Sequence, residues 1–142
     1  MSIEYRSCEP ADISAVLALW LRAEAVPRPT DHQAALLLRL ERDRDLFVLA
    51  VDNGRIVGSL IAGWDGWRGN MYRLVVDPEY RRVGVARTLV ETAEANLRAL
   101  GAERITSLVF FEEPGASEFW SGLGYEVDQA VVRYAKNLSR NS

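Results

Sequence analysis

Apolar positions along the first forty residues fall into a helical rhythm. Ile13, Val16, Leu17 and Trp20 recur at i, i+3, i+4 and i+7 and make one stripe. Pro10 suits the first turn of that helix, and Pro27 and Pro29 end it. Ahead of it, SIEYRS alternates over residues 2–7 and predicts a short strand. Thr30-Asp31-His32-Gln33 fits a capping box in which Thr30 and Gln33 satisfy each other's backbone donors. The leucine-rich run at 34–40 continues from it as a second helix.

The rhythm then changes to that of strands. Residues 46–51 are apolar and partly β-branched, Asp52-Asn53-Gly54 is a hairpin signal, and Arg55–Trp64 is the returning strand. Asp65-Gly66 and Arg68-Gly69 mark another tight turn before a third strand at 71–76, so these three predict an antiparallel meander. From Ala86, residues Leu89, Val90, Ala93, Leu97 and Leu100 share one helical face. Glu94 and Arg98 pair outside it, and Gly101 sits where a C-terminal glycine belongs. A strand at 105–111, a short helix at 116–123 and a closing hairpin of 125–127 with 131–135 complete the order β-α-α-β-β-β-α-β-α-β-β. No repeat or linker interrupts it, so residues 1–142 read as one mixed α/β domain with a polar end from Asn137.

Composition narrows the function. The chain has 142 residues, 49% hydrophobic and 26% charged, which excludes collagen, a disordered tail and a disulfide scaffold. Seventeen basic against twenty acidic residues give a net charge of −3, without the basic excess of a nucleic-acid binder. Cys8 is the single cysteine and His32 the single histidine. An internal disulfide, a Cys/His metal cluster and any mechanism needing two imidazoles are therefore excluded. No apolar run approaches the roughly 20 residues of a membrane span, and MSIEYRSCEP lacks the features of a signal peptide. The expectation is a protein of the reducing cytoplasm with no metal, membrane or nucleic-acid partner, as a monomer or homodimer.

The segment richest in chemistry joins the strand ending at Asp77 to the long helix. Arg81-Arg82-Val83-Gly84-Val85-Ala86 puts Gly84 just before or within the first helical turn. The first amides of a helix lack internal partners and lie at the positive end of the macrodipole. A glycine there lets an anion approach the backbone, so the turn can hold a pyrophosphate with Arg81 or Arg82 adding charge. A tight turn bearing solvated arginines is the plain alternative.

In its setting this turn matches the R/Q-x-x-G-x-G/A pattern, preceded by Leu74-Val75-Val76-Asp77-Pro78 and followed by Arg87-Thr88-Leu89-Val90. With the late Leu123-Gly124-Tyr125 and the order of elements, nearly the whole chain resembles the GNAT superfamily of acyl-CoA-dependent N-acyltransferases. Through Gly63-Trp64-Asp65-Gly66-Trp67-Arg68-Gly69 it is most similar to small, stand-alone bacterial members of uncharacterised substrate.

The resemblance implies a mostly antiparallel sheet of six to seven strands, splayed between the fourth and fifth, with about four helices. Acetyl-CoA would lie in the splay as cosubstrate. Leu74, Val75 and Val76 would face its pantetheine, the amides of Arg81, Arg82, Val83, Gly84, Val85 and Ala86 would hold its pyrophosphate, and an amine would enter beside the first two helices. The amine would attack the thioester carbonyl directly, helped chiefly by proximity and by backbone amides. Three positions depart from the family. Trp120 stands where many relatives carry a tyrosine acid, Glu113 where they often carry a CoA-holding asparagine, and Leu108 where some carry a glutamate base.

Several residues keep two readings. Glu112 could drain a proton through water or be a solvated carboxylate. Asp65 could receive an amine or form a turn. Tyr72 could be an acid, a substrate wall or packing. Trp64 and Trp67 could form a cation-binding wall or pack at the rim. His32 and Cys8 read as non-catalytic. The resemblance therefore implies an N-acetyltransferase acting on a primary amine of a small molecule or peptide. The alternatives are an acyl-CoA-binding regulatory module without turnover, and a scaffold serving only a protein partner.

Overall fold

Asn53 and Gly54 both adopt positive φ, 53° and 81°, as a two-residue turn between antiparallel strands demands. They join β2 (Phe47–Asp52) to β3 (Arg55–Trp64), and the sheet grows outward from this hairpin. β1 (Ile3–Ser7) lies antiparallel to β2, and β4 (Gly69–Val76) antiparallel to β3. β5 (Ile105–Ser107) runs parallel to β4, giving the order β1-β2-β3-β4-β5. This is a computed structural model, describing residues 2–110 and 113–138, in which the chain up to Leu108 forms one unit and Val109 onward a second.

Neighbouring residues of a strand face opposite sides of a sheet, and β3 shows which helices occupy each side. Gly58 meets α3 (Val85–Leu100): a Cβ there would lie 3.0 Å from Val85 Cγ1 and 3.1 Å from Leu89 Cδ1. Ser59 faces the other way, where its hydroxyl accepts a 2.8 Å hydrogen bond from Trp20 Nε1 of α1 (Ile13–Arg22). Further along α3, Leu97 sits so close to Gly69 that a Cβ there would approach within 2.8 Å. Two glycines thus let α3 lie tight against the sheet at both ends. On the opposite face, α1 and α2 (Gln33–Arg42) bury Val16, Leu19, Trp20, Leu36 and Leu40 with Phe47, Leu49, Ile61 and Val75. Cys8 belongs to that core, and its burial pushes the thiol up to about 12.

Helix ends follow local chemistry that differs from the expectation. α1 stops at Arg22, before either proline, because Ala25 N–H closes back on Trp20 O (3.0 Å) with Glu24 at φ +59°. That is a left-handed C-terminal closure made without glycine. α2 is capped by His32, whose Nδ1 accepts from Ala35 N–H, and not by Thr30. Gln33 is drawn away from the expected box because its amide donates to Ser14 Oγ at 2.7 Å.

β2 begins at Phe47, opposite Ile61, so Ala62–Trp64 of β3 overhang it. Arg39 and Arg42 of α2 reach the carbonyls of Ala62 and Trp64 along this overhang.

The meander appears as expected, and the fold is mixed α/β with a mainly antiparallel sheet. The strand count is lower: five among the described residues, against the six to seven expected. β5 ends at Ser107, not at 111. Neither 125–127 nor 131–135 is a strand, and Val127, Val132 and Tyr134 are 80%, 80% and 93% exposed. Alternation specifies a strand only where one of its faces is buried, and here neither is. The second unit contains α4 (Ala116–Gly122), on which Trp120 meets Phe119 and Tyr125 edge to face at 5.3 and 4.9 Å.

Candidate active site

β4 breaks its pairing on both flanks at nearly the same place. Toward β3, Ser59 pairs with Val75 and Ile61 with Tyr72, so Arg73 and Leu74 together face Leu60 as a bulge. Arg73 takes the left-handed conformation that this needs, φ 55°. Toward β5, the last paired residue is Met71, and Leu108 N–H adds one bond to Met71 O at 3.2 Å. Beyond that point β4 continues through Leu74, Val75 and Val76 without β5 beside it. The strands part as the resemblance implies.

The chain then enters a 3₁₀ turn at Pro78–Tyr80 and passes through Arg81–Gly84 into α3. Arg82 and Gly84 both have positive φ, 68° and 88°, so the turn is tight. The first bond of α3 runs from Thr88 N–H to Gly84 O at 3.1 Å. The amides of Val85, Ala86 and Arg87 therefore precede the helical ladder, at its positive end. Nothing lies within 4 Å of where a Cβ on Gly84 would be. Arg81, Arg82, Val83 and Gly84 are all exposed. The geometry fits an anion set against open backbone; Arg81 and Arg82 are exposed in the turn, and Arg87 donates from Nε to Glu91 Oε2 at 3.3 Å.

Tyr72 stands on the α1/α2 face of β4, with its ring across Gly63, where a Cβ would lie 3.4 Å from Tyr72 Cε2. It is 38% exposed and so open to a ligand. Asp65 forms the turn: its Oδ1 accepts from Trp67 N–H at 2.8 Å and Arg68 N–H at 2.7 Å. The amides of Arg68 and Trp67 hold this carboxyl below its usual range, which makes it a weaker base. Trp67 is 68% exposed and carries the Arg68 guanidinium 4.0 Å from its ring centroid. Trp64 lies at the end of β3, where its carbonyl accepts from Arg42.

These residues and the turn all belong to the first unit. Glu113 and Trp120 belong to the second, and Glu112 lies outside the described residues.

Two networks were not foreseen. Arg73 reaches from the bulge into the segment between α1 and α2, where it pairs with Asp31 and donates to Val26 O at 2.6 Å. Its guanidinium lies 4.9 Å from the centroid of Trp20. Asp31 also holds its own loop by accepting from Arg28 N–H at 2.9 Å. The second network centres on Asp77, buried and bonded to Arg22 Nε at 2.8 Å and Arg55 Nη2 at 3.2 Å. Burial pushes its carboxyl up, but Glu79 N–H and the guanidinium of Arg22 outweigh that and leave it below the ordinary value. Arg73 and Asp31 are 42 positions apart, and Arg22 and Asp77 are 55 apart. Only the oddity of charges on apolar segments signalled either pair.

Comparison with known proteins gives a consistent outcome. The profile described as the acetyltransferase (GNAT) family matches residues 13–125. An acetyltransferase of Sodalis glossinidius is 32% identical over 136 residues, covering 96% of both chains. Another from Pectobacterium atrosepticum is 35% identical, covering 92% of each. Among solved structures, the PaiA N-acetyltransferase of Thermoplasma acidophilum in complex with coenzyme A superposes with a TM-score of 0.77 at 19% identity. That match covers 90% of this chain and 92% of the other.

Proposed function

The chain belongs to the acetyltransferase (GNAT) family, and on that premise we propose that it moves an acetyl group from acetyl-CoA to a primary amine of a small molecule or peptide. The observation that carries this reading is Gly84: positive φ, an exposed position at the start of a 16-residue helix, and open space where a Cβ would stand. Residues 1–142 serve as one catalytic domain. The amides of Arg81, Arg82, Val83, Gly84, Val85 and Ala86 take the pyrophosphate, and Leu74, Val75 and Val76 flank the pantetheine.

The acceptor amine approaches the α1/α2 face of β4, where Tyr72 forms a wall and donates its phenol proton to the leaving thiolate. Trp64 and Trp67 line the rim, and Asp65 fixes the turn that bears them. By their place in the sequence pattern, Glu112 is assigned to draining the amine proton, Glu113 to the carrier, and Trp120 to a hydrogen bond toward the leaving sulfur without giving up its proton. As the amine nitrogen bonds to the carbonyl carbon, the carbon–sulfur bond breaks, the nitrogen loses a proton and the sulfur gains one. Orientation supplies most of the rate, because the attacking and leaving atoms are held by backbone.

A thiol-release assay with acetyl-CoA against a panel of amines, polyamines and peptide N-termini tests the reading. Release above the no-acceptor rate with any of them supports it. Coenzyme binding without turnover on any acceptor would instead favour an acyl-CoA-binding module. Trp120 motivates that second reading, since an indole N–H donates a hydrogen bond but is no proton source.

A further inference from the structure

Three successive residues of β3 hold both ends of the exposed turn. Ile56 O accepts from Arg22 Nη2 at 3.1 Å, Val57 O accepts from Asp77 N–H at 2.8 Å, and Gly58 seats Val85. Upstream of the turn, Asp77 gathers four further bonds. Its carboxylate takes Arg22 Nε, Arg55 Nη2 and, at 2.9 Å, Glu79 N–H, while its carbonyl takes Tyr80 N–H at 2.8 Å. Tyr80 in turn donates its hydroxyl to Asp52 Oδ2 at 2.6 Å, at the β2–β3 hairpin. The 3₁₀ turn is thereby pinned to α1, to β3 and to the hairpin, and the exposed stretch 81–84 follows it directly.

A carboxylate 2% exposed is a costly way to gain stability, because desolvation offsets much of what its ion pairs return. What it does supply is fixed geometry. We infer that Asp77 is a positioning residue: through Arg22, Arg55 and Glu79 it holds the Pro78–Tyr80 turn so that the backbone of 81–86 is set to receive the carrier's diphosphate. This rests on the reading of that turn given above, and it goes beyond it by placing the control of carrier affinity in a residue that does not touch the carrier.

The test compares two ligands that share the thioester and pantetheine, of which only one carries the diphosphate with its adenosine 3′-phosphate: acetyl-CoA and S-acetylpantetheine. Their affinities are measured by titration for the wild-type protein, Asp77→Asn, Arg22→Gln and Gly84→Glu. Asp77→Asn keeps the size and a Glu79 contact but removes the charge. It is expected to weaken acetyl-CoA by on the order of 10- to 100-fold, as small misplacements of a binding group do, with S-acetylpantetheine unchanged within about twofold on the same reasoning. Arg22→Gln, whose site is one-third exposed and tolerant, is expected to move in the same direction should Asp77→Asn fail to fold. Equal loss of both ligands, or acetyl-CoA affinity unchanged in both variants, overturns the inference. Gly84→Glu separates the two levels. If it abolishes acetyl-CoA binding while the Asp77 and Arg22 variants bind normally, the turn holds the diphosphate and only the positioning role fails. If it leaves acetyl-CoA binding intact, the underlying reading fails first.

Discussion

Gly58 of β3 and Val85 of α3 approach so closely that a single added methyl would leave 3.0 Å between carbons. Leu89 Cδ1 at 3.1 Å and Ala50 Cβ at 3.3 Å close the other sides. Gly58→Ala is therefore expected to lift the start of α3 by a few tenths of an ångström and cost about 1–3 kcal/mol, as overpacking does. Val85→Ala in the same chain should recover part of the loss. Calorimetric melting of the single and double variants checks this, and strictly additive losses would contradict it.

Gly84 presents the opposite case, with open space but a backbone that L-residues avoid. Gly84→Ala is expected to keep the fold at a cost of about 1 kcal/mol for the left-handed conformation. Gly84→Glu should add a carboxylate facing the same amides and lose acetyl-CoA affinity, with melting close to that of Gly84→Ala. Isothermal titration beside thermal melting separates the two effects.

Glu24 closes α1 at φ +59° without being glycine. Glu24→Gly is expected to raise stability by about 0.5 kcal/mol: relief of the left-handed strain exceeds the added entropy of the unfolded chain. Chemical denaturation with matched slopes measures it, and a lower midpoint would show that the Glu24 side chain contributes more than its backbone costs.

The depressed carboxyl of Asp77 fixes a pH dependence. A group whose folded pKa lies below its unfolded value, about 3.9, stabilises the folded state above that value and loses the contribution as pH falls through the folded pKa. The difference in melting temperature between wild type and Asp77→Asn should be largest near neutrality and shrink below about pH 4. A gap that widens on acidification would reverse the assignment.

Elements governed by local chemistry were legible in the sequence. Asn53-Gly54 requires a hairpin wherever it stands between apolar runs, and the 16-residue α3 carries its stripe and its terminal glycine in plain view. The glycine-bearing turn into α3 was legible for the same reason, since glycine placement and helix start are both local. What escaped depended on partners far along the chain. Thr30 lost the capping role to His32 because Ser14, on another helix, competes for Gln33. Residues 125–135 carry a strand-like alternation, but a pattern cannot state whether a sheet edge will receive it. The Arg73–Asp31 and Arg22–Asp77 pairs are set by the crossing of α1 over β4, which no spacing encodes.

Arg39 and Arg42 also settle the fate of the overhanging end of β3. Carbonyls projecting past a shorter neighbour are a template on which a foreign strand can add, the first step toward fibrillar growth. Guanidinium groups already seated on Ala62 and Trp64 deny that seed its acceptors, and Asp43, paired with both arginines, holds them there. A second copy of the same strand would first have to dislodge these two side chains before it could pair there.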